Sequence, residues 1–265
     1  MRVNRIDGKF NELRAMGRKV FIAYVTAGDP DLAVTKKIVL RLEEAGVDIV
    51  ELGIPFSDPI ADGPTIQAAS YRALTGKATL KKIFAMVRAL RAVTDMPLVF
   101  MTYYNPVLRY GLKKFFASCR ECGVDGVIVP DLPCEEAKDL IRFARPEKVA
   151  TIFLCAPTST PERIKAIAKN SKGFIYYVSL TGVTGARREL PKDIVSRIRA
   201  IRSVTDKPVA VGFGVSSPRQ AAQIAKAADG VIVGSAIVKI VGEKKNIAPR
   251  VYRFAKSIAK AVHGV

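Results

Sequence analysis

Arg91-Ala-Val-Thr-Asp-Met-Pro-Leu-Val99 recurs in the second half of the chain as Arg202-Ser-Val-Thr-Asp-Lys-Pro-Val-Ala210. Each copy leaves a helical pattern through a turn and enters a β-branched run. A second pair, Gly123-Val-Asp-Gly-Val-Ile-Val129 and Ala228-Asp-Gly-Val-Ile-Val233, does the same one unit further on. Working outward from these echoes, short β-branched runs alternate with helical periodicity throughout, as expected of repeated β-α units on a parallel sheet. Eight strands are predicted, at Val20–Thr26, Ile49–Gly53, Leu98–Thr102, Gly126–Val129, Val149–Leu154, Phe174–Ser179, Val209–Gly212 and Gly230–Val233. Helices fall near Leu32–Ala45, Leu80–Val93, Leu112–Cys122, Glu135–Ala144, Pro161–Asn170, Ile194–Val204, Pro218–Ala227 and Pro249–Val262.

Both echoes are offset by four β-α units, the relation between two half-barrels, and they decide for a closed barrel over an open sheet. Read only as common helix-to-strand turns, Thr-Asp-x-Pro and Gly-x-Asp would carry no such information. The fold expected is α/β, a single (β/α)8 TIM barrel occupying residues 1–265 as one domain. Two helices are additional. Arg5–Met16 precedes the first strand and would plug the barrel bottom, and Pro64–Leu74 follows the second strand with proline in its first turn. The closing helix is basic and amphipathic, suited to covering the last strand or to lying on a membrane surface.

The 265 residues, 49% of them apolar, suffice for a large core. No apolar run reaches the roughly 18 residues of a membrane span, and Met1-Arg-Val-Asn-Arg-Ile-Asp-Gly8 has no signal-peptide character, so a soluble cytoplasmic protein is expected. Cys119, Cys122, Cys134 and Cys155 are too dispersed for a disulfide framework. Cys119 and Cys122 form a C-x-x-C inside a helical pattern, without the strand-to-helix start of a redox motif, and His263 is the sole histidine, so no metal site is expected. The net charge of +19, from 43 Lys and Arg against 24 Asp and Glu, favours anionic ligands. It is spread over outer helix faces, as at Lys36-Lys37, Lys81-Lys82, Arg197-Arg199 and Lys256-Lys260, without interleaved aromatics. A solvated surface suited to high temperature or high salt is the simpler account; a nucleic-acid surface is the alternative.

In a parallel barrel, functional residues gather at the carboxyl ends of the strands. Glu51 stands at such an end, within the apolar run Val47-Asp-Ile-Val-Glu-Leu-Gly53. Alternation places Ile49 and Glu51 on one face and Val50 and Leu52 on the other, so Glu51 faces the barrel mouth. A buried carboxylate is costly unless paired, hydrated or used for proton transfer, and no Lys or Arg occupies another strand end. Asp62 follows on the loop; Asp62-Gly-Pro64 reads either as a site acid or as a helix cap followed by proline. Asp58 in Ser-Asp-Pro and Asp29 in Gly-Asp-Pro read more strongly as caps. With histidine chemistry and a strand-end Schiff-base lysine both lacking, acid-base work by carboxylates remains, with Tyr176 or Tyr177 as polar accessories.

Three glycine-containing turns follow the last strands: Gly182-Val-Thr184-Gly185, Gly212-Phe213-Gly214-Val-Ser-Ser217 and Gly234-Ser235-Ala-Ile237. Backbone N–H groups approach a phosphate closely only where side chains are absent, and Ser235 adds a hydroxyl, so together the turns form a phosphate cradle at the mouth. Leu180–Leu190, with Gly182 and Gly185, is either a lid over the substrate or a plain irregular loop.

These features together closely resemble the tryptophan synthase alpha chain family. The resemblance runs end to end and is carried by Phe21-Ile-Ala-Tyr-Val-Thr-Ala-Gly-Asp-Pro30, the Glu51–Gln67 segment, Val129-Pro-Asp-Leu-Pro133, Tyr176-Tyr-Val-Ser-Leu-Thr-Gly-Val-Thr-Gly185, Gly212-Phe-Gly-Val-Ser-Ser217 and Gly234-Ser-Ala-Ile237. It implies retro-aldol cleavage of indole-3-glycerol phosphate to indole and glyceraldehyde 3-phosphate, with no cofactor in this chain. On matching positions, Glu51 is the acid and base, Asp62 the partner of the indole N–H, and Tyr176 positions substrate. Thr184, Gly185, Gly214, Gly234 and Ser235 belong to the phosphate end, and Tyr24, Met101, Ile128, Leu154 and Phe213 wall the indole. Tyr24 and Pro130 depart from the phenylalanine and alanine of some relatives.

The resemblance further implies a partner, a tryptophan synthase beta chain carrying pyridoxal phosphate, in an alpha2-beta2 heterotetramer that passes indole between subunits. The loop Pro55–Asp62, with Asp58, Asn105 and Pro133, would face it. Two rivals stand beside this reading: another phosphate-binding barrel lyase, which should carry a lysine near the mouth, and a noncatalytic barrel binding through its basic surface.

Overall fold

The computed structural model describes residues 4–178, 194–212 and 214–265. Its strands are β1 (Val20–Thr26), β2 (Ile49–Gly53), β3 (Leu98–Met101), β4 (Gly126–Ile128), β5 (Ala150–Ile152), β6 (Leu154–Cys155), β7 (Ile175–Val178), β8 (Val209–Gly212) and β9 (Gly230–Val233). All pair in parallel, in the order β5-β4-β3-β2-β1-β9-β8-β7-β6. The two ends of that order, β5 and β6, are consecutive pieces of the predicted fifth strand, so the sheet is an eight-strand barrel with its seam at Phe153. The Tyr176 N–H donates to the Phe153 carbonyl at 3.1 Å and the Lys172 N–H to the Thr151 carbonyl at 2.8 Å, carrying the pairing past the seam. The single run Val149–Leu154 is thus divided. Strands in a tilted barrel are staggered, and here the lower piece finds its ladder on β4 and the upper piece on β7.

The helices are α1 (Arg5–Ala15), α2 (Leu32–Glu44), α3 (Pro64–Thr75), α4 (Leu80–Arg91), α5 (Tyr104–Tyr110), α6 (Leu112–Cys122), α7 (Lys138–Ala144), α8 (Pro161–Asn170), α9 (Ile194–Arg202), α10 (Pro218–Ala225), α11 (Ser235–Gly242) and α12 (Ile247–His263). α5 and α11 are separate elements that periodicity did not reveal; seven or eight residues are too few to display an apolar face. Strand alternation sorts the core into two shells. Val20, Ile22, Ile49, Val99, Ile128, Ile152, Phe174, Tyr176, Ala210 and Ile232 fill the barrel, while Phe21, Val50, Leu52, Phe100, Val127 and Tyr177 pack between sheet and helices.

α1 closes the bottom as expected. Asn4 caps it by accepting from the Ile6 N–H, and Ile6, Phe10 and Leu13 join the interior shell, with the Phe10 and Phe174 ring centroids 5.7 Å apart. α12 buries Val251, Ala255, Ile258, Ala259 and Val262 against α2 and α10, so its apolar face is occupied within the fold. No helix among the described residues is long and apolar enough to cross a membrane.

The two sequence echoes prove to be the halves of one clasp. Arg91 at the end of α4 places Nη2 2.5 Å from Asp125 Oδ2, and that oxygen accepts from the Leu98 N–H at 2.9 Å as β3 begins. Four units later, Arg202 Nη2 lies 2.9 Å from Asp229 Oδ1, and the Val209 N–H donates to Asp229 Oδ2 at 3.0 Å. The carboxylate satisfies the first N–H of one strand from the turn before the next, which ties neighbouring units together. Asp48, before β2, likewise accepts from the N–H of Phe21, the second residue of β1, at 2.8 Å, with His263 Nε2 as its partner at 2.8 Å.

Candidate active site

Glu51 lies where the register predicts. It sits beside Tyr24 of β1 and Val99 of β3 and points into the barrel below the mouth. It is fully buried, and neither carboxyl oxygen has a hydrogen-bond partner. Nothing offsets the loss of solvation, so burial pushes the carboxyl up to about 8. The alternative of a structural ion pair is therefore not realised. At neutral pH the group holds a proton it can deliver.

Asp62 is not a helix cap. Gly63 occupies the cap position of α3 without a side-chain bond, so the half-buried Asp62 carboxyl does not cap the helix. Burial raises it to about 6, against the opposing effect of a hydrogen bond from Tyr103. The Tyr103 hydroxyl also accepts from the Ala61 N–H at 2.9 Å and so fixes the loop that carries Asp62. Tyr103 escaped the sequence reading. Its signal was its place two residues beyond the end of β3, at the same level of the mouth.

Tyr176 points inward from β7, whereas Tyr177 faces the helix layer, so alternation removes Tyr177 from the site. The Tyr176 ring covers Gly212, where a Cβ would come within 2.7 Å of the hydroxyl. Opposite it, the Tyr24 hydroxyl lies over Gly53, and a Cβ there would sit 2.0 Å away. Both glycines are required by these close approaches. Burial raises both phenols well above their usual range, and the charges of Glu51 and Asp62 push the same way, which places all four groups within electrostatic reach of one another. The expected indole walls are divided by depth. Ile128 is fully buried in the interior shell, while Met101 and Leu154 are half-buried at the mouth.

Gly234 forms the N-cap position of α11, whose first residue is Ser235, at the mouth end of β9. The first-turn N–H groups of such a helix are directed outward and favour an anion. Gly214, after β8, is exposed and adopts φ +51°. Thr184, Gly185, Phe213 and the Leu180–Leu190 segment lie outside the described residues. Asp58 and Asn105 are exposed, Pro133 is half-buried, and Ile60 in the same loop as Asp58 is 84% exposed. Asp29 is neither cap nor site acid. Asp31 caps α2, and Asp29 is bound by Arg72.

The four cysteines are buried and unbridged; Cys119 and Cys122 lie in α6, and burial raises both thiols. Among the described residues, no cluster of His, Cys, Asp and Glu could hold a metal ion. Nor, among them, is a strand end followed within two positions by lysine or arginine, so a mouth lysine of a rival lyase is not found.

The model of the family described as "Tryptophan synthase alpha chain" matches residues 10–263. A tryptophan synthase alpha chain of Caldanaerobacter subterraneus subsp. tengcongensis is 50% identical over 244 residues, 92% of this chain and 93% of that protein. That of Geobacter sulfurreducens is 52% identical over 238 residues, 90% of each. Among solved structures, Mycobacterium tuberculosis tryptophan synthase superposes with a TM-score of 0.92 at 40% identity, covering 99% of both chains. A chain of the tryptophan synthase complex from Pyrococcus furiosus gives 0.85 at 42% identity, covering 91% of this chain and 98% of that one. With the barrel, the buried acid and near full-length likeness in agreement, this chain belongs to the tryptophan synthase alpha chain family, carbon-carbon lyases that split indole-3-glycerol phosphate into indole and glyceraldehyde 3-phosphate.

Proposed function

We propose that Glu51 carries both proton transfers of the retro-aldol cleavage and that Asp62 supports the charge on the indole ring. The observation that carries this reading is the pair of carboxyl groups at one mouth that burial raises unequally, the fully buried and unpartnered Glu51 to about 8 and the half-buried Asp62 to about 6. At neutral pH one is an acid and the other an anion. Protonated Glu51 delivers its proton to indole C3, and the positive charge that appears on the ring nitrogen is met by the Asp62 carboxylate. The Glu51 carboxylate then takes the proton of the glycerol hydroxyl next to the ring. The electrons of the broken carbon-carbon bond return to the indole while that carbon becomes the aldehyde, and Glu51 ends as it began. Tyr176 and Tyr24 flank the reacting atoms, Met101, Ile128, Leu154 and Phe213 line the ring's pocket, and the turns at Thr184-Gly185, Gly214 and Gly234-Ser235 hold the phosphate.

This assignment fixes the pH dependence. Activity requires Asp62 ionised and Glu51 protonated, so kcat/KM for indole release follows a bell with limbs near pH 6 and pH 8. Asp62→Asn should lower kcat about 10²-fold and erase the acidic limb. A variant that keeps that limb would remove Asp62 from the role.

The chain acts in the cytoplasm in an alpha2-beta2 assembly with a tryptophan synthase beta chain, which holds pyridoxal phosphate and receives the indole. Supporting this are the complexes among the solved relatives and the rim of the barrel mouth, where exposed Asp58 and Ile60 lie on the loop after β2, exposed Asn105 lies in the first turn of α5, and half-buried Pro133 lies on the loop after β4. Adding purified beta chain should raise the rate of indole-3-glycerol phosphate cleavage. An unchanged rate in a complex verified by gel filtration would count against the coupling.

A further inference from the structure

A guanidinium far from the reacting groups ties together the two helices that begin at them. Arg72, on α3, binds Asp29 in the loop after β1 through both arms, Nε to Oδ1 at 2.8 Å and Nη2 to Oδ2 at 2.7 Å. Asp29 is only 2% exposed, while the Arg72 side chain is 26% exposed, so the carboxylate end of the pair is the one shielded from solvent. The same guanidinium lies on Gly242, the last residue of α11, where a Cβ would be 3.1 Å from Nη2. The loop is also pressed onto α3 and the turn that follows it, since a Cβ on Gly28 would meet Ala78 of that turn at 2.6 Å and Ala73 of α3 at 3.4 Å.

Between pin and mouth, α3 and α11 are packed by a small apolar cluster of its own, Ile66 and Ala69 from α3, Val238 from α11 and Tyr24 from β1. α3 starts directly after Asp62-Gly63, and α11 starts at Gly234-Ser235. At 1.5 Å per residue, Arg72 stands about 12 Å along α3 and Gly242 about 10 Å along α11. The side chain therefore holds the far ends of two levers. One lever's near end presents the indole-facing carboxylate and the other's presents the phosphate cradle.

We infer that the Asp29–Arg72 pair is a positioning device that sets the separation between the Asp62 carboxylate and the Gly234–Ser235 cradle, and so the register of a substrate gripped at both ends. The inference rests on the site roles proposed above. Loosening the pin leaves each grip in place but misaligns them, so the loss falls on the chemical step and not on binding.

Arg72→Lys keeps the charge and loses the two-armed geometry and the stacking on Gly242. The expected result is a kcat at least tenfold lower per folded molecule, with KM for indole-3-glycerol phosphate within threefold. Gly242→Ala tests the geometry by another route, because alanine favours the helix but pushes the guanidinium aside. It should lower kcat two- to fivefold without lowering Tm. The inference is overturned if kcat per folded Arg72→Lys molecule stays within twofold of wild type, if the loss appears in KM alone, or if Gly242→Ala is fully active. Should Arg72→Lys not fold, Gly242→Ala decides. Assayed alongside, a fully active Glu51→Gln protein would overturn the site reading itself. An inactive Glu51→Gln beside a fully active Arg72→Lys overturns only the pin.

Discussion

Glu51→Gln is expected to lower kcat for indole release by at least 10³-fold and, in the same protein, to strengthen the fold above pH 5. The two effects share one cause. Glutamine fills the same space but neither gives nor takes a proton, and general acid-base groups contribute about 10²–10⁴-fold each; Glu51 is proposed to act twice in one turnover. The stability effect follows from the shift. An unfolded glutamate loses its proton near 4.5, whereas the buried one keeps it to about 8. Between those values the folded chain binds one proton more than the unfolded chain, so wild-type stability falls as pH rises, by about 1.4 kcal/mol per pH unit, and levels off above 8. Glutamine has no such loss. Urea denaturation at pH 4.5 and pH 8.5 should show the variant gaining on wild type by about 3–5 kcal/mol across that range. Parallel stability profiles, or more than a tenth of wild-type activity, would show that Glu51 is not the proton carrier described.

Asp125→Asn should destabilise the barrel by about 3–5 kcal/mol, while Asp229→Asn, at the equivalent place four units on, should cost about 1 kcal/mol or less. The two acids make the same backbone contact, to Leu98 and Val209 respectively, so that contact does not separate them. Burial does. Asp125 is 6% exposed and bound to Arg91, 10% exposed, and to Arg5 of α1 at 3.0 Å, so neutralising it strands buried positive charge. Asp229 is 19% exposed beside an Arg202 that is 43% exposed, and water replaces most of what the carboxylate supplies. Urea denaturation of the two variants at pH 7 measures the difference. Equal losses would mean that the backbone contact, and not the buried charge, is what each clasp contributes.

That clasp shows what could be read from the sequence and what could not. The echoes containing Arg91 and Asp125 were visible as strings and implied half-barrel symmetry, but only the fold shows that the arginine of one string meets the acid of the other. Glu51 was legible because period-two alternation on a buried strand is a strong rule, and the same rule separates Tyr176 from Tyr177 once the strand is in place. Asp62 was ambiguous because a helix cap and a site acid use the same Asp-Gly-Pro; the backbone decides by giving the cap to Gly63. Asp29 was misread because its partner, Arg72, is 43 positions away and no local pattern joins them. Tyr103 was missed because loop aromatics have no periodicity to betray them, and the division of the fifth strand because stagger belongs to the closed ring and not to any one strand.

The plug formed by Ile6, Phe10 and Leu13 makes the barrel a cul-de-sac. Among the described residues the lower end is filled, so Glu51 is approached from the mouth side of the barrel. On the proposed placement, with the phosphate at the rim and the ring deeper, a partner seated on that rim would govern both the entry of substrate and the departure of its products.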